Sequence, residues 1–359
     1  MMKWQGIICG FYAAAALAFP SISGMTTARA ADDATPAQAR QQLFVIQEQN
    51  HYGFIDQTGK VIIPPSLDAV SDFQNGYAVY QKNGKFGYLN ETGACVIPAI
   101  YEDADTFSAE GLAAVKIGDK YGFIDTANKI VISPVYEFAR SFQEGLAAIA
   151  VNGKFGFIDR TGKEVVPPKY DMVWGFQEGL AVVYQEDKAG FIDQTGKEVI
   201  PLHYDIASPF HDGLALVYEN DETGYGFLNK QGEYAIPPKM WEPGNFSESL
   251  ASVIVEDKDG HAFGYINKTG TLAIPATFEQ AYPFSEGLAA VKVNGKYGFI
   301  NNKGVLVIAP QFASGGVFQH GLAYVVLHDQ NGYAFAYVDK QGDVIWKSSY
   351  MKVFPGDLE

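Results

Sequence analysis

An aromatic residue, a glycine and a second aromatic return along this chain at intervals close to 34 residues, and no other feature constrains the fold as strongly. The step stands at Tyr52-Gly53-Phe54, Phe86-Gly87-Tyr88, Tyr121-Gly122-Phe123, Phe155-Gly156-Phe157, Tyr225-Gly226-Phe227, Phe263-Gly264-Tyr265 and Tyr297-Gly298-Phe299. Ala189-Gly190-Phe191 and Phe335-Ala336-Tyr337 are weakened copies. Successive centres lie 34, 35, 34, 34, 36, 38, 34 and 38 positions apart. A fixed period of this length is the signature of repeat architecture. A nine-copy repeat is therefore expected over residues 43–359, in place of a single unrepeated core.

Each copy reads in the period-2 grammar of strands. In the fourth, Leu146 to Val151 is an apolar run, and Asn152-Gly153 is the strongest short hairpin signal. Lys154 to Ile158 forms the next strand. Asp159-Arg160-Thr161-Gly162 then suits a turn that begins with Asp and ends on a left-handed glycine. A third strand from Lys163 to Val166 meets Pro167-Pro168, which cannot donate to a ladder. The spacing thus predicts three-stranded meanders. Between them a phenylalanine recurs at Phe73, Phe107, Phe142, Phe176, Phe210, Phe246, Phe284 and Phe318, as a packing key between neighbours. An alanine recurs after each Gly-Leu-type step, at Ala78, Ala113, Ala147, Ala181, Ala215, Ala251, Ala289 and Ala323, where a small side chain lets a backbone or ring approach.

These motifs, met nearly in full by Tyr297 to Pro310 and Phe284 to Ala289, resemble the bacterial WG repeat over residues 43–346. The name-giving tryptophan is Tyr, Phe or Ala in every copy, and Trp174, Trp241 and Trp346 lie elsewhere. The resemblance implies an all-β repeat module, often in exported proteins, and supplies no catalytic residue to carry over. We expect an all-β fold of tandem three-stranded antiparallel meanders in an open superhelical stack, because propeller blades usually have four strands and about 40–45 residues. The alternative is a closed ring of propeller type. The atypical first and last copies read as caps of an open stack.

Lys3, the apolar run from Ile7 to Phe19, Pro20 and Ala28-Arg29-Ala30 form a signal-peptide pattern over residues 1–30, with a flexible leader over 31–42. The apolar run is too short to span a bilayer, so an exported, periplasmic or secreted product without a membrane span is expected. The chain carries a net charge of -15. Such a surface opposes nucleic acid, which is bound through basic patches. Aromatic residues at 14% exclude an acidic disordered chain. With Cys9 lost in the signal, Cys95 would be alone, read as a small buried residue on a strand.

Residues present in every copy are explained by making the copy: the glycines Gly53, Gly87, Gly122, Gly156, Gly190, Gly226, Gly264 and Gly298 and the linker phenylalanines belong to this class. Specificity must lie where copies differ. Hairpin tips at Asp187, Asp221, Glu222, Asp257 and Asp259 would gather carboxylates along one edge of a stack, a setting for Ca2+ or a basic partner. Trp174 and Trp241 sit in linkers and could stack on the sugar rings of a glycan. No Walker, Gly-x-Ser-x-Gly, His-Glu-x-x-His or Cys-x-x-Cys pattern occurs. The reading is a non-enzymatic scaffold that binds a protein or cell-envelope ligand over an extended surface. The alternatives are a hydrolase of envelope polymers, revealed by a cleft with two non-recurrent carboxylates or a His-carboxylate pair, and a cation-dependent binding module.

Overall fold

The computed structural model of the protein describes residues 42–351 apart from 221, 240–242, 258 and 259. The expected signal peptide and leader fall outside the described residues, save for Gln42. Every regular element described is a β-strand. Nine small antiparallel sheets follow one another along the chain. We number them units 1–9, over residues 43–67, 69–101, 103–136, 138–170, 172–204, 206–239, 250–278, 280–312 and 318–347.

Unit 4 shows how the sequence builds one sheet. Ala147–Val151 and Lys154–Ile158 pair across Asn152-Gly153, which adopt positive φ of 50° and 71°, as a primed turn requires. Asp159 then accepts the amides of Thr161 at 2.8 Å and Lys163 at 3.1 Å. These bonds fix the turn into the closing strand, Glu164–Tyr170. The unit is one strand larger than the expected meander. Phe138–Ala139, taken from the linker, pairs with the free side of Ala147–Val151. Among the described residues, seven sheets have four strands, while units 1 and 7 have three. Two residues carry no periodicity, which is why this strand is silent in the sequence.

The closing strand explains the glycine. Phe155 faces Tyr170, yet Phe157 faces Val166, so the strand bulges between Val166 and Tyr170. The bulge crosses Gly156, where a Cβ would lie 2.3 Å from the Val166 carbonyl oxygen and 2.7 Å from Pro168 N. Gly53, Gly87, Gly122, Gly190, Gly264 and Gly298 meet the same crossing at 2.3–2.7 Å from a backbone oxygen. Gly226 instead meets the Tyr234 ring at 2.8 Å. In unit 9 the proline is replaced by Trp346. Ala336 there pairs directly with Lys347. Without the crossing bulge, a methyl group fits.

Neighbouring units meet through contacts that repeat along the chain. Each linker phenylalanine packs on the second aromatic of the preceding unit, in eight pairs from Phe54–Phe73 to Phe299–Phe318 with centroids 4.6–5.1 Å apart. Such edge and tilted pairs are worth about 0.5–1.5 kcal/mol beyond their buried area. The turn glycine of one unit lies over the closing-strand Ile or Val of the unit before, as Gly196 does over Val166. A turn side chain also reaches back to the preceding unit: Lys230 donates to the Glu178 carbonyl at 2.9 Å and Lys340 to that of Glu286 at 3.0 Å.

The same contacts recur between units 9 and 1. Gly59 lies over Ile345, Gln57 donates to the His320 carbonyl at 2.8 Å, and the Tyr337 hydroxyl donates to the Val45 carbonyl at 2.8 Å across 292 positions. Phe44, Ile46 and Ile55 share a buried cluster with Leu322, Tyr337 and Ile345. The expected open superhelical stack is therefore incorrect. The nine sheets close into a propeller-type ring.

The end copies are not caps: their departures are adaptations of a seam. Phe44 pairs with Ile55 as Ala78 does with Leu89, so it occupies the recurrent alanine position. Its ring meets Tyr337 at 5.4 Å, in the role the linker phenylalanine plays elsewhere. Tyr324 stands where units 3, 4 and 8 carry Ala114, Ala148 and Ala290, and it packs on Phe335 and Tyr337. Among the described residues, no strand of unit 9 joins the sheet of unit 1, and every hydrogen bond across the seam involves a side chain.

Candidate binding face and cleft

The glutamates of the Glu-Gly-Leu-Ala turn are clasps between units. Glu144 accepts the Gly179 amide at 2.9 Å, Glu248 the Gly287 amide at 3.0 Å and Glu286 the Gly321 amide at 2.9 Å. Glu110 and Glu178 do the same for Gly145 and Gly213. Glu144 and Glu178 hold positive φ of 50° and 54°, a strained choice for this residue type that the clasp offsets. Recurrent carboxylates at this turn are structural.

Exposed large apolar side chains divide between two places. Twelve of the fourteen lie on or beside closing strands, among them Ile130, Val131, Val135, Leu306 and Val307. This is the outer edge of each sheet, where proline bulges interrupt the ladder and discourage pairing. Cys95 begins one such strand and is exposed, so the expectation that it is buried is wrong. The Tyr80 hydroxyl lies 3.1 Å from its sulfur, and burial first, then the thiol, pushes that hydroxyl up to about 12.

The other two exposed residues, Trp174 at 49% and Ile206 at 44%, lie on the short first strands of units 5 and 6 or directly after them. These strands follow one pattern. Ala139, Val173 and Ala207 are buried, while the residues on either side are half-buried or exposed. The flanking pair differs from unit to unit: Asp103 and Asp105 in unit 3, Phe138 and Arg140 in unit 4, Met172 and Trp174 in unit 5, Ile206 and Ser208 in unit 6. Sequence reasoning found Trp174 but missed its partners, because the strand that aligns them was not recognised.

Between units 3 and 4 this face opens into a cleft of about 200 Å³, lined by Asp103, Ala104, Asp105, Tyr121, Phe138, Ala139 and Arg140. Its carboxylates are held as acceptors. Asp103 takes the Tyr121 hydroxyl at 2.6 Å and the Ala104 amide at 2.9 Å. Asp105 takes the amides of Thr106 at 2.8 Å and Ser141 at 3.0 Å. Burial, reinforced by the Asp103 carboxylate, drives the Tyr121 hydroxyl well above its ordinary range. The Arg140 guanidinium stands 3.9 Å from Asp105 and 5.3 Å from the Phe138 centroid, with 61% of its side chain exposed.

The remaining expected site residues are spread out. Asp187 is exposed at the tip of unit 5, and Glu222 at that of unit 6. Asp221, Asp259 and Trp241 lie outside the described residues, as does the side chain of Asp257. Among the described residues, no three His, Cys, Asp or Glu side chains are placed to hold a metal ion. His203 pairs with Glu219 at 3.0 Å on an exposed edge.

Taken together, the geometry defines a class: a propeller-type β-repeat ring with a variable face and a small cleft. The chain belongs to the WG containing repeat family, whose model matches residues 52–86, 86–121, 121–155, 155–188, 190–222, 225–258, 263–297 and 297–329. No curated protein matches it. A crystal structure of a eukaryotic initiation factor is similar with a TM-score of 0.60 at 11% identity, over 87% of this chain and 96% of that one, which shows the fold alone. Porphyromonas gingivalis dipeptidyl peptidase 4 is similar at a TM-score of 0.43 and 10% identity, over 77% of this chain and 52% of that one. A quinonprotein alcohol dehydrogenase-like protein from Bacteroides thetaiotaomicron reaches 0.37 at 12% identity, over 84% and 80%. Likenesses that weak carry no argument.

Proposed function

We propose that the protein is an exported, non-enzymatic scaffold that binds a protein or cell-envelope ligand across the first-strand face of units 3–6. The observation that carries this reading is the exposure of Trp174 and Ile206, on the first strands of the two units that follow the cleft or directly after them, at sites where the copies differ. Recurrent residues serve the ring, so discrimination falls to the variable ones. Large exposed aromatics on a rigid sheet are the usual anchors of an interface.

The rival reading, a hydrolase of envelope polymers, draws on Asp103 and Asp105, two non-recurrent carboxylates in one cleft. Each carboxylate oxygen already accepts a hydrogen bond, Asp103 from the Tyr121 hydroxyl and the Ala104 amide and Asp105 from the Thr106 and Ser141 amides, so both residues are engaged in holding the sheet edges together. Binding is the better supported reading. Co-sedimentation of the protein with envelope polymers and with soluble envelope proteins, alongside assay of released fragments, tests it. We expect retention without release, lost in Trp174→Ser combined with Ile206→Ser. Release of soluble fragments, or retention unaffected by that pair, overturns the proposal.

A further inference from the structure

We infer that the cleft between units 3 and 4 receives the guanidinium group of an arginine carried by an apolar, extended segment of a partner protein. This inference rests on the scaffold reading and narrows its ligand to one chemistry. Size decides the first step. Pockets that enclose whole small ligands measure about 300–1,000 Å³, whereas this cleft holds about 200 Å³, room for one long side chain.

Charge decides the second. The fixed groups of the lining are negative: Asp103 and Asp105 are each held in place by two hydrogen bonds. A carboxylate has about four lone-pair sites, so acceptor capacity remains on both. The positive group of the lining, Arg140, is mostly exposed and too far from Asp105 for a hydrogen bond. It is movable where the carboxylates are fixed. Arg140 already lies over the Phe138 ring at 5.3 Å, so the cleft shows how a guanidinium sits in it. An incoming arginine would displace Arg140 outward and take both the ring face and the carboxylates. The chain's net charge of -15 draws a basic segment toward the ring. On the next two units, Met172, Trp174 and Ile206 stand partly or fully exposed on the corresponding first strands or directly after them, and would cover the apolar neighbours of that arginine.

The test uses blocked five-residue peptides with a central arginine flanked by leucines, and the same peptide with citrulline, which keeps the shape and removes the charge. Calorimetric titration against the full chain at low salt should show the arginine peptide binding roughly tenfold more tightly, the scale of one charge-assisted hydrogen bond. Asp105→Asn should erase that preference. Arg140→Gln, a change at an exposed site, should strengthen arginine-peptide binding several-fold by clearing the mouth. Equal binding of the two peptides, or weaker arginine-peptide binding in Arg140→Gln, overturns the inference. If a neutral oligosaccharide binds and the arginine peptide does not, the inference fails while the scaffold reading stands. Loss of envelope retention in the Trp174 and Ile206 pair reports on the scaffold reading by itself.

Discussion

Replacing Gly156 by alanine tests the explanation of the repeat itself. The new Cβ would sit 2.3 Å from the Val166 carbonyl oxygen, 2.7 Å from Pro168 N and 2.9 Å from Pro167 C. Relief to an ordinary contact near 3.3 Å needs about 1 Å of movement, since non-bonded carbon contacts are optimal only at about 3.5–4.0 Å. All three obstacles are backbone, so no rotamer change absorbs the strain. Overpacking of this kind costs up to about 3 kcal/mol. Removing glycine's freedom in the unfolded chain returns about 0.4–1 kcal/mol, leaving a net loss of about 2 kcal/mol. Ala336 is the internal reference, because it occupies the same step without the crossing bulge. Ala336→Gly should cost about 1 kcal/mol, the ordinary price of strand glycine. Urea unfolding followed by tryptophan fluorescence and far-ultraviolet circular dichroism compares the two midpoints. If Gly156→Ala leaves stability unchanged or raises it, the backbone crossing does not explain the glycine.

Three further expectations follow from the geometry. Tyr324→Ala should open the seam and cost about 3–5 kcal/mol, the range for deleting a large packed aromatic; a radius of gyration by small-angle scattering equal to wild type, with unchanged melting, refutes it. The Asp56, Asp159 and Asp193 carboxyls are held below their ordinary range, chiefly by the threonine two positions on. Their stabilisation is complete above the unfolded value near 3.8 and fades as pH falls through the lower folded values. Asn90 and Asn267 make the same turn bonds without a charge, so Asp159→Asn should fold at neutral pH and melt with less acid sensitivity; an unchanged pH profile of melting refutes it. Burial raises Asp72, opposed by His320. A raised carboxyl favours the fold below the unfolded value and loses that advantage as pH climbs through the folded one. Asp72→Asn should therefore raise the melting temperature at pH 7 more than at pH 4, and equal effects at both would count against it.

Much of this fold was legible in the sequence because local chemistry writes it. Asn152-Gly153, the Asp159-to-Gly162 turn and the recurring Phe176 mark strands, turns and junctions within a few residues. Closure was not legible. It depends on the small angle between successive sheets and on contacts such as Tyr337 with Val45 at opposite ends of the chain. Phe44 and Tyr324 hold the clue, the first an aromatic at the recurrent alanine position and the second an aromatic where units 2–8 carry Val, Ala, Leu or Ser, but their meaning needs the ring. The candidate face was half visible. Trp174 stood out by its type, whereas Asp103, Asp105 and Arg140 became neighbours only through two-residue strands too short to leave a pattern.

Because, among the described residues, side chains and not a shared ladder join unit 9 to unit 1, the ring behaves like a bracelet with one clasp. Load across it should part that clasp before any ladder of backbone bonds gives way, leaving nine intact sheets on a single hinged strip. The strength of the whole can then be tuned at Phe44 and Tyr324 while the links themselves stay as they are.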